Sequence, residues 1–146
     1  MTYQEQMTPI GEFCAPIRAA LAHVPAHVRI IAEPGRFISA PAGTSVSTVM
    51  GKAKRDGRWW YYLDDGLYGS YSGQIYDHAR YPVESLRRGS PLLPSVLAGP
   101  TCDSIDVIAE NLMLPQLRAG DLIVGRSMGA YSLASASEFN FFPRAT

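Results

Sequence analysis

A thiol beside a carboxylate is the most chemically capable pair in this sequence. Cys102 and Asp103 follow the apolar run Ser95-Val-Leu-Ala98 and the dipeptide Gly99-Pro100. Gly-Pro punctuates the backbone and ends a strand. The pair is therefore expected on a loop at a strand end, where reactive groups are often placed. A thiol there can deliver a proton, and a carboxylate can pair with a cation. The plain alternative is a buried free cysteine beside a helix-capping aspartate, because unpaired cysteine commonly fills cores.

A second candidate is Glu33-Pro-Gly-Arg36, directly after the apolar run at residues 28–32. A carboxylate and a guanidinium at the carboxyl end of a strand sit where α/β barrels place their chemistry. Gly35 permits close backbone approach and Arg36 suits a phosphate; the alternative is a local ion pair in a loop. Asp64-Asp-Gly-Leu-Tyr-Gly69 reads as a turn with Tyr68 packed on the sheet, and Tyr76-Asp77-His78 as a strand end with a solvated carboxylate. His23 and His27 have the spacing of helical metal ligands. Pro25 lies between them without an accompanying carboxylate motif, so no metal site is expected.

These groups must be held by elements. Phe13, Ile17, Leu21 and Val24 fall at i, i+4, i+8 and i+11, which predicts a helix over 12–24, with Pro16 in its first turn and Pro25 ending it. Residues 28–32 read as a short strand covered on both faces. One helix and one such strand cannot complete a sheet, so the chain looks as though it starts partway through an α/β domain. After Pro41-Ala-Gly43 the character changes. Strands are predicted at 44–54, 59–63, 73–79, 95–101, 122–124 and 128–136, with an Asp-Gly turn at 56–57. Residues 80–94 read as a loop with an edge. Residues 105–114 read as a short helix or an irregular segment. Together these short strands predict a second domain that is all β.

The whole chain, at 146 residues, is long enough for a real core. Lysine plus arginine and aspartate plus glutamate both number 13, so the net charge is zero. That argues against nucleic acid or an anionic membrane as a partner, since both call for a basic excess. It also makes Trp59, Trp60, Tyr61 and Tyr62 core and interface residues rather than a base-stacking platform. Lys52-Ala-Lys-Arg55 reads as a solvated strand end. The two cysteines are far apart, and the polar residues 1–7 carry no targeting signal, so a cytoplasmic location is expected.

Taken in order, Glu33-Pro-Gly-Arg36, Asp64-Asp-Gly-Leu-Tyr-Gly-Ser70, Tyr76-Asp-His78, Gly99-Pro-Thr-Cys-Asp103 and Met128-Gly-Ala-Tyr131 resemble the carboxyl-terminal part of the fold-type III, pyridoxal-phosphate-dependent ornithine and ornithine/lysine decarboxylases of the alanine-racemase-like superfamily. The resemblance runs from about Glu12 to the end. It implies a mainly β fold: a carboxyl-terminal β-sandwich or barrel-like domain at 44–146, preceded at 1–43 by a helix-strand remnant of the cofactor-binding α/β barrel. It implies that Glu33 pairs with the pyridine nitrogen, and that Gly35, Arg36 and Tyr131 hold the cofactor phosphate. It further implies that Tyr76 and Asp77 form a substrate-side pair, that Cys102 governs reprotonation, and that Asp103 meets the distal ammonium. Phe139 would line the site near the interface, and Gly129 would lie where two subunits meet. Cys102 and Asp103 would reach into the partner subunit's site, which makes a homodimer with shared sites the expected assembly.

The lysine that carries the cofactor's aldehyde is not in a matching motif; the chain has only Lys52 and Lys54. The resemblance therefore implies about the last third to two-fifths of an enzyme acting on a small basic amino acid, inactive alone and dependent on a barrel and a second copy. The competing reading is a non-catalytic, decarboxylase-like regulator, which would not need Glu33, Asp77, Cys102 and Asp103. A stand-alone β binding module would require every motif match to be chance.

Overall fold

The computed structural model describes residues 8–146; the polar stretch at 1–7 lies outside them. Helix α1 spans Ile10–Leu21. It begins two residues before the predicted start, so Pro16 lies inside the helix rather than in its first turn. Its apolar stripe is uncovered: Phe13, Ile17 and Leu21 are all exposed. Residues 28–32 form no strand, correcting the expectation. A strand exists only as part of a ladder, and the described residues give Val28, Ile30 and Ile31 neither a neighbouring strand nor cover. A single turn of helix, α2, follows at Arg36–Ser39.

From Thr44 onward the chain builds one six-stranded sheet. Its strands are β1 Thr44–Arg55, β2 Arg58–Leu63, β3 Val83–Ser85, β4 Leu93–Ala98, β5 Val107–Leu114 and β6 Leu122–Arg126. Their order across the sheet is β3-β6-β1-β2-β4-β5. Every neighbouring pair is antiparallel except β2 with β4. The β1–β2 hairpin closes through Asp56 and Gly57, both at positive φ as a tight two-residue turn requires. The parallel β2–β4 pair needs a crossover. That crossover carries the short helix α3, Gly73–Asp77, along with strand β3. The sheet is nearly closed and barrel-like. Tyr61, Leu63, Tyr71, Leu97, Leu117 and Ile123 fill its interior, each fully buried.

Three segments after residue 43 also differ from the sequence reading. Residues 73–79 contain α3 rather than a strand, with His78 capping it in the left-handed conformation. Residues 105–114 contain β5 rather than a helix. Ala109, Glu110 and Leu112 favour helices, but pairing with the open edge of β4 overrides that preference. Residues 128–136 contain a short 3-10 turn at Leu133–Ser135 rather than a buried strand. Ser132 Oγ donates to the Met128 carbonyl, and Ser135 Oγ donates to the Tyr131 carbonyl at 2.8 Å. Such local bonds compete with a sheet ladder.

Candidate functional site

Most of the side chains singled out in the sequence fall in two groups, one on short helices and a loop and the other on loops. In the first, α2 presents Arg36 and α3 presents Asp77. The Arg36 guanidinium donates to Asp77 Oδ2 at 2.6 Å, and Arg36 Cζ lies 4.8 Å from the centre of the Tyr131 ring. Tyr131 is exposed and at positive φ on the loop after β6. Gly35 precedes Arg36, with nothing within 4 Å of where a β-carbon would stand. Glu33 is exposed in the same irregular stretch and lies outside the Arg36–Asp77–Tyr131 group. Tyr76 is also largely exposed, on the outer side of α3.

This group is seated on the sheet by a close backbone approach. The Gly129 amide donates to the Ala40 carbonyl at 3.0 Å, and the Met128 amide donates to the Gly43 carbonyl at 3.0 Å. A β-carbon on Gly129 would collide with the Ser39 carbonyl oxygen. Gly129 thus packs on its own chain's residues 39–43, fixing the segment that carries Arg36 against the loop that carries Tyr131.

The second group forms on the β4–β5 loop, residues 99–106. Cys102 is exposed rather than core filler, and Asp103 caps no helix. The Tyr68 hydroxyl, from the segment after β2, donates to Asp103 Oδ2 at 2.5 Å. The Ile105 amide donates to Asp103 Oδ1 at 3.1 Å. Phe139 stacks on Tyr68 with ring centres 4.2 Å apart. Asn140 Nδ2 lies 3.5 Å from Cys102 Sγ. The hydrogen bond to Asp103 is the main cause pushing the Tyr68 phenol up to about 12. The same bond, followed by the Ile105 amide, holds Asp103 below its ordinary value. Across the working range Tyr68 is therefore a donor and Asp103 an anion.

Sequence reasoning missed Tyr68 and Asn140 as members of this group. The sequence pattern packs Tyr68 on the sheet, yet in the structure it bridges Asp103 and Phe139. The available signal was its place in Asp64-Asp-Gly-Leu-Tyr-Gly69. There Asp65 Oδ1 accepts from the Gly66 and Ser70 amides at 2.9 Å each, building the turn that carries Tyr68.

What the groups can do follows from charge and shape. A guanidinium beside a phenol and an open glycine suits a phosphate. A thiol beside a carboxylate and an aromatic wall suits an apolar chain ending in an ammonium. The chain belongs to the pyridoxal-dependent decarboxylase C-terminal sheet domain family, which matches residues 18–129.

Particular relatives sharpen that class. Lysine/ornithine decarboxylase of Selenomonas ruminantium is 42% identical over 110 residues, covering 75% of this chain and 28% of that protein. Antizyme inhibitor 2 of Xenopus laevis is 39% identical over 131 residues, covering 79% of this chain and 28% of that protein. A crystal structure of lysine/ornithine decarboxylase complexed with cadaverine, from Vibrio vulnificus, matches with a TM-score of 0.96 at 61% identity, covering 98% of this chain and 39% of that one. The chain thus spans a little over a quarter of the length of those two sequence relatives.

The family implies pyridoxal phosphate, and the residues present fit one end of it. Arg36, Gly35 and Tyr131 suit the phosphate. The amine that would hold the aldehyde is not among the residues gathered here. Lys52 Nζ donates to the Leu117 carbonyl at 2.9 Å and lies over the Trp59 ring, while Lys54 is exposed near the end of β1.

Proposed function

We propose that this chain contributes the sheet-domain half of a pyridoxal-phosphate-dependent decarboxylase site for L-ornithine, and for L-lysine as a longer substrate, releasing putrescine or cadaverine. The observation that carries this reading is the gathering of the family-matched side chains into two open groups. One is built for a phosphate and the other for a cationic chain end. Identity of 61% to a structure holding cadaverine supports the substrate class.

The bound cofactor supplies a sink for the electrons left when CO2 departs. Arg36 and Tyr131 hold its phosphate, with Gly35 giving the backbone room to approach, and Glu33 pairs with its ring nitrogen. Asp103 takes the distal ammonium. Its donors, Tyr68 and Ile105, are neutral, so its charge stays uncompensated until substrate arrives. Asp77 also faces that ammonium, with its charge shared by Arg36. Tyr76 and Phe139 wall the methylene chain. The Cys102 thiol returns a proton to the carbon that lost CO2.

The two groups complete different sites in this reading. Arg36, Asp77 and Tyr131 serve one subunit, while Cys102 and Asp103 reach into its partner across a homodimer. Residues 1–43 belong to a cofactor-binding barrel and residues 44–146 form the sheet domain. The exposed stripe of Phe13, Ile17, Ile30 and Ile31 is the surface that barrel covers. Alone, this chain does not decarboxylate. The protein works in the cytoplasm, in polyamine synthesis.

A second reading has support in the Xenopus relative. There the chain belongs to a decarboxylase-like regulator that binds partners without turnover. The deciding experiment combines the chain with a barrel bearing the aldehyde-holding lysine, then measures cofactor absorbance and CO2 release from ornithine and lysine. Release from either supports the enzyme. Cofactor-free association with a regulatory partner, without CO2 release, supports the regulator.

A further inference from the structure

Asp106 has no part in the roles above, yet it is the only charged side chain buried among the described residues, 2% exposed. Each of its carboxylate oxygens is used. The Leu67 amide donates to Oδ1 at 2.8 Å. The Thr101 amide and hydroxyl donate to Oδ2 at 3.1 and 2.7 Å. Its backbone closes the same loop: the Gly99 amide donates to its carbonyl at 2.9 Å, and its own amide donates to the Asp103 carbonyl at 3.0 Å. Gly66 and Gly99 lie against the carboxylate, and a β-carbon on either would strike its Oδ1. Two separate segments have thus given up side chains to admit one buried anion.

The identity of the donors matters. Leu67 directly precedes Tyr68, and Thr101 directly precedes Cys102 and Asp103. The two segments that must meet to form the Tyr68–Asp103 bond are each tied, one residue away, to the same carboxylate. A buried carboxylate is costly unless it is hydrogen-bonded, and here the bonds that satisfy it come from both segments.

We propose that Asp106 is a positioning residue, whose carboxylate holds the Cys102–Asp103 loop and the Tyr68 segment in one frame. Its meaning for catalysis rests on the function proposed above; the geometric claim does not.

The test uses the full chain and readouts independent of turnover. Asp106→Asn replaces an acceptor oxygen by a donor group facing other donors. Leu117→Ala serves as a control that lowers melting through the core. Hydrogen exchange at the Leu67 and Thr101 amides is compared with that at Val96 and Leu97, and the Tyr68 phenol is titrated by NMR. In Asp106→Asn the two loop amides should exchange roughly tenfold faster or more relative to the strand amides, with Tyr68 titrating back toward about 10, further than loss of the Asp106 charge, a lesser cause than the Asp103 bond, brings it. Leu117→Ala should leave both readouts in place. Unchanged loop amides and Tyr68 in Asp106→Asn would overturn the proposal, as would equal movement in the control. Should Asp106→Asn not fold, Thr101→Val decides. It removes one of the three bonds to the carboxylate, along with the long 3.4 Å bond from the Asp103 amide to the Thr101 hydroxyl, and should move exchange at the Leu67 amide, which touches neither group, in the same direction by less; no movement there overturns the proposal. Failure of the barrel-reconstituted protein to release CO2 would sink the decarboxylase reading and leave these results untouched.

Discussion

Arg36 and Asp77, 41 residues apart in sequence, meet as an ion pair at 2.6 Å, and the same guanidinium lies over the Tyr131 ring. A group suited to phosphate is thus oriented by a carboxylate suited to substrate. A change at either end of the pair is expected to be felt on both sides of the site.

That coupling makes the first prediction. In a complete, cofactor-loaded protein, Arg36→Lys keeps the charge but loses the planar fork. Cofactor dissociation should rise about tenfold, the scale of one charge-assisted hydrogen bond, and Arg36→Ala should weaken it further. Asp77→Asn should raise KM for the diamino acid and also loosen the cofactor, because Arg36 loses its anchor. The fold should hardly respond, since partly exposed pairs contribute about 0.2–1 kcal/mol. Cofactor titration by fluorescence and melting by circular dichroism separate the two effects. An Asp77→Asn protein with unaltered cofactor affinity would refute the coupling.

The Tyr68–Asp103 bond sets a pH window. Asp103 is held below its ordinary value of 3.8, so its contribution to stability is present above that value and is lost as pH falls through the folded-state value. Tyr68 is raised from 10.0 to about 12, so its contribution is present below 10 and is lost as pH climbs toward 12. The bond is whole only between these limits. Tyr68→Phe should therefore remove both edges of the dependence together, with Asp103 titrating higher than in the parent. Carboxyl NMR on the two proteins checks this; an unmoved Asp103 would show that Tyr68 is not its main donor.

The sheet was legible where local chemistry and tertiary need agree. Thr44–Arg55 and Arg58–Leu63 are β-prone, and Asp56-Gly57 supplies the turn between them. The reading failed where partners distant in sequence decide. Residues 107–114 have helical preferences but meet the edge of β4, and 28–32 have strand preferences but meet no strand among the described residues. The chemistry of Cys102 and Asp103 was legible because Gly99-Pro100 marks a loop. The turn that carries Tyr68 was legible, but the partners of Tyr68 and Asp106 were not, because their bonds span 35 and 39 residues.

Cys102 offers a prediction in which chemistry and folding separate cleanly. Its side chain is exposed, and Asn140 Nδ2 approaches its sulfur at 3.5 Å. Cys102→Ala should change stability by no more than about 0.5 kcal/mol, as is usual for surface positions. In the complete enzyme it should slow turnover or divert it to side products, while leaving cofactor binding largely intact. Product analysis by mass spectrometry alongside CO2 release checks this. Unchanged turnover and product ratio would remove Cys102 from the proton step.

Gly129 tests how the first segment is fastened to the sheet. Its amide donates to the Ala40 carbonyl at 3.0 Å, and a β-carbon there would run into the Ser39 carbonyl oxygen. Backbone, unlike the far end of a long side chain, cannot swing aside. Gly129→Ala must therefore push residues 39–43 away from the Met128–Gly129 turn and lengthen both of the bonds that join them. Overpacking of this kind costs about 1–3 kcal/mol. The displacement should reach Arg36 through α2 and Tyr131 through the loop it shares with Gly129, pulling the guanidinium off the ring. The expected result is a lower melting temperature together with faster exchange at the amides of Met128 and of residue 129, which donate the two joining bonds, while the strand pairing of β2 with β4 keeps its protection. A Gly129→Ala chain that melts like its parent would mean that the first segment is not seated on the sheet through this contact. Loss of protection spread evenly over the sheet would mean that the contact supports the whole fold rather than the Arg36 corner.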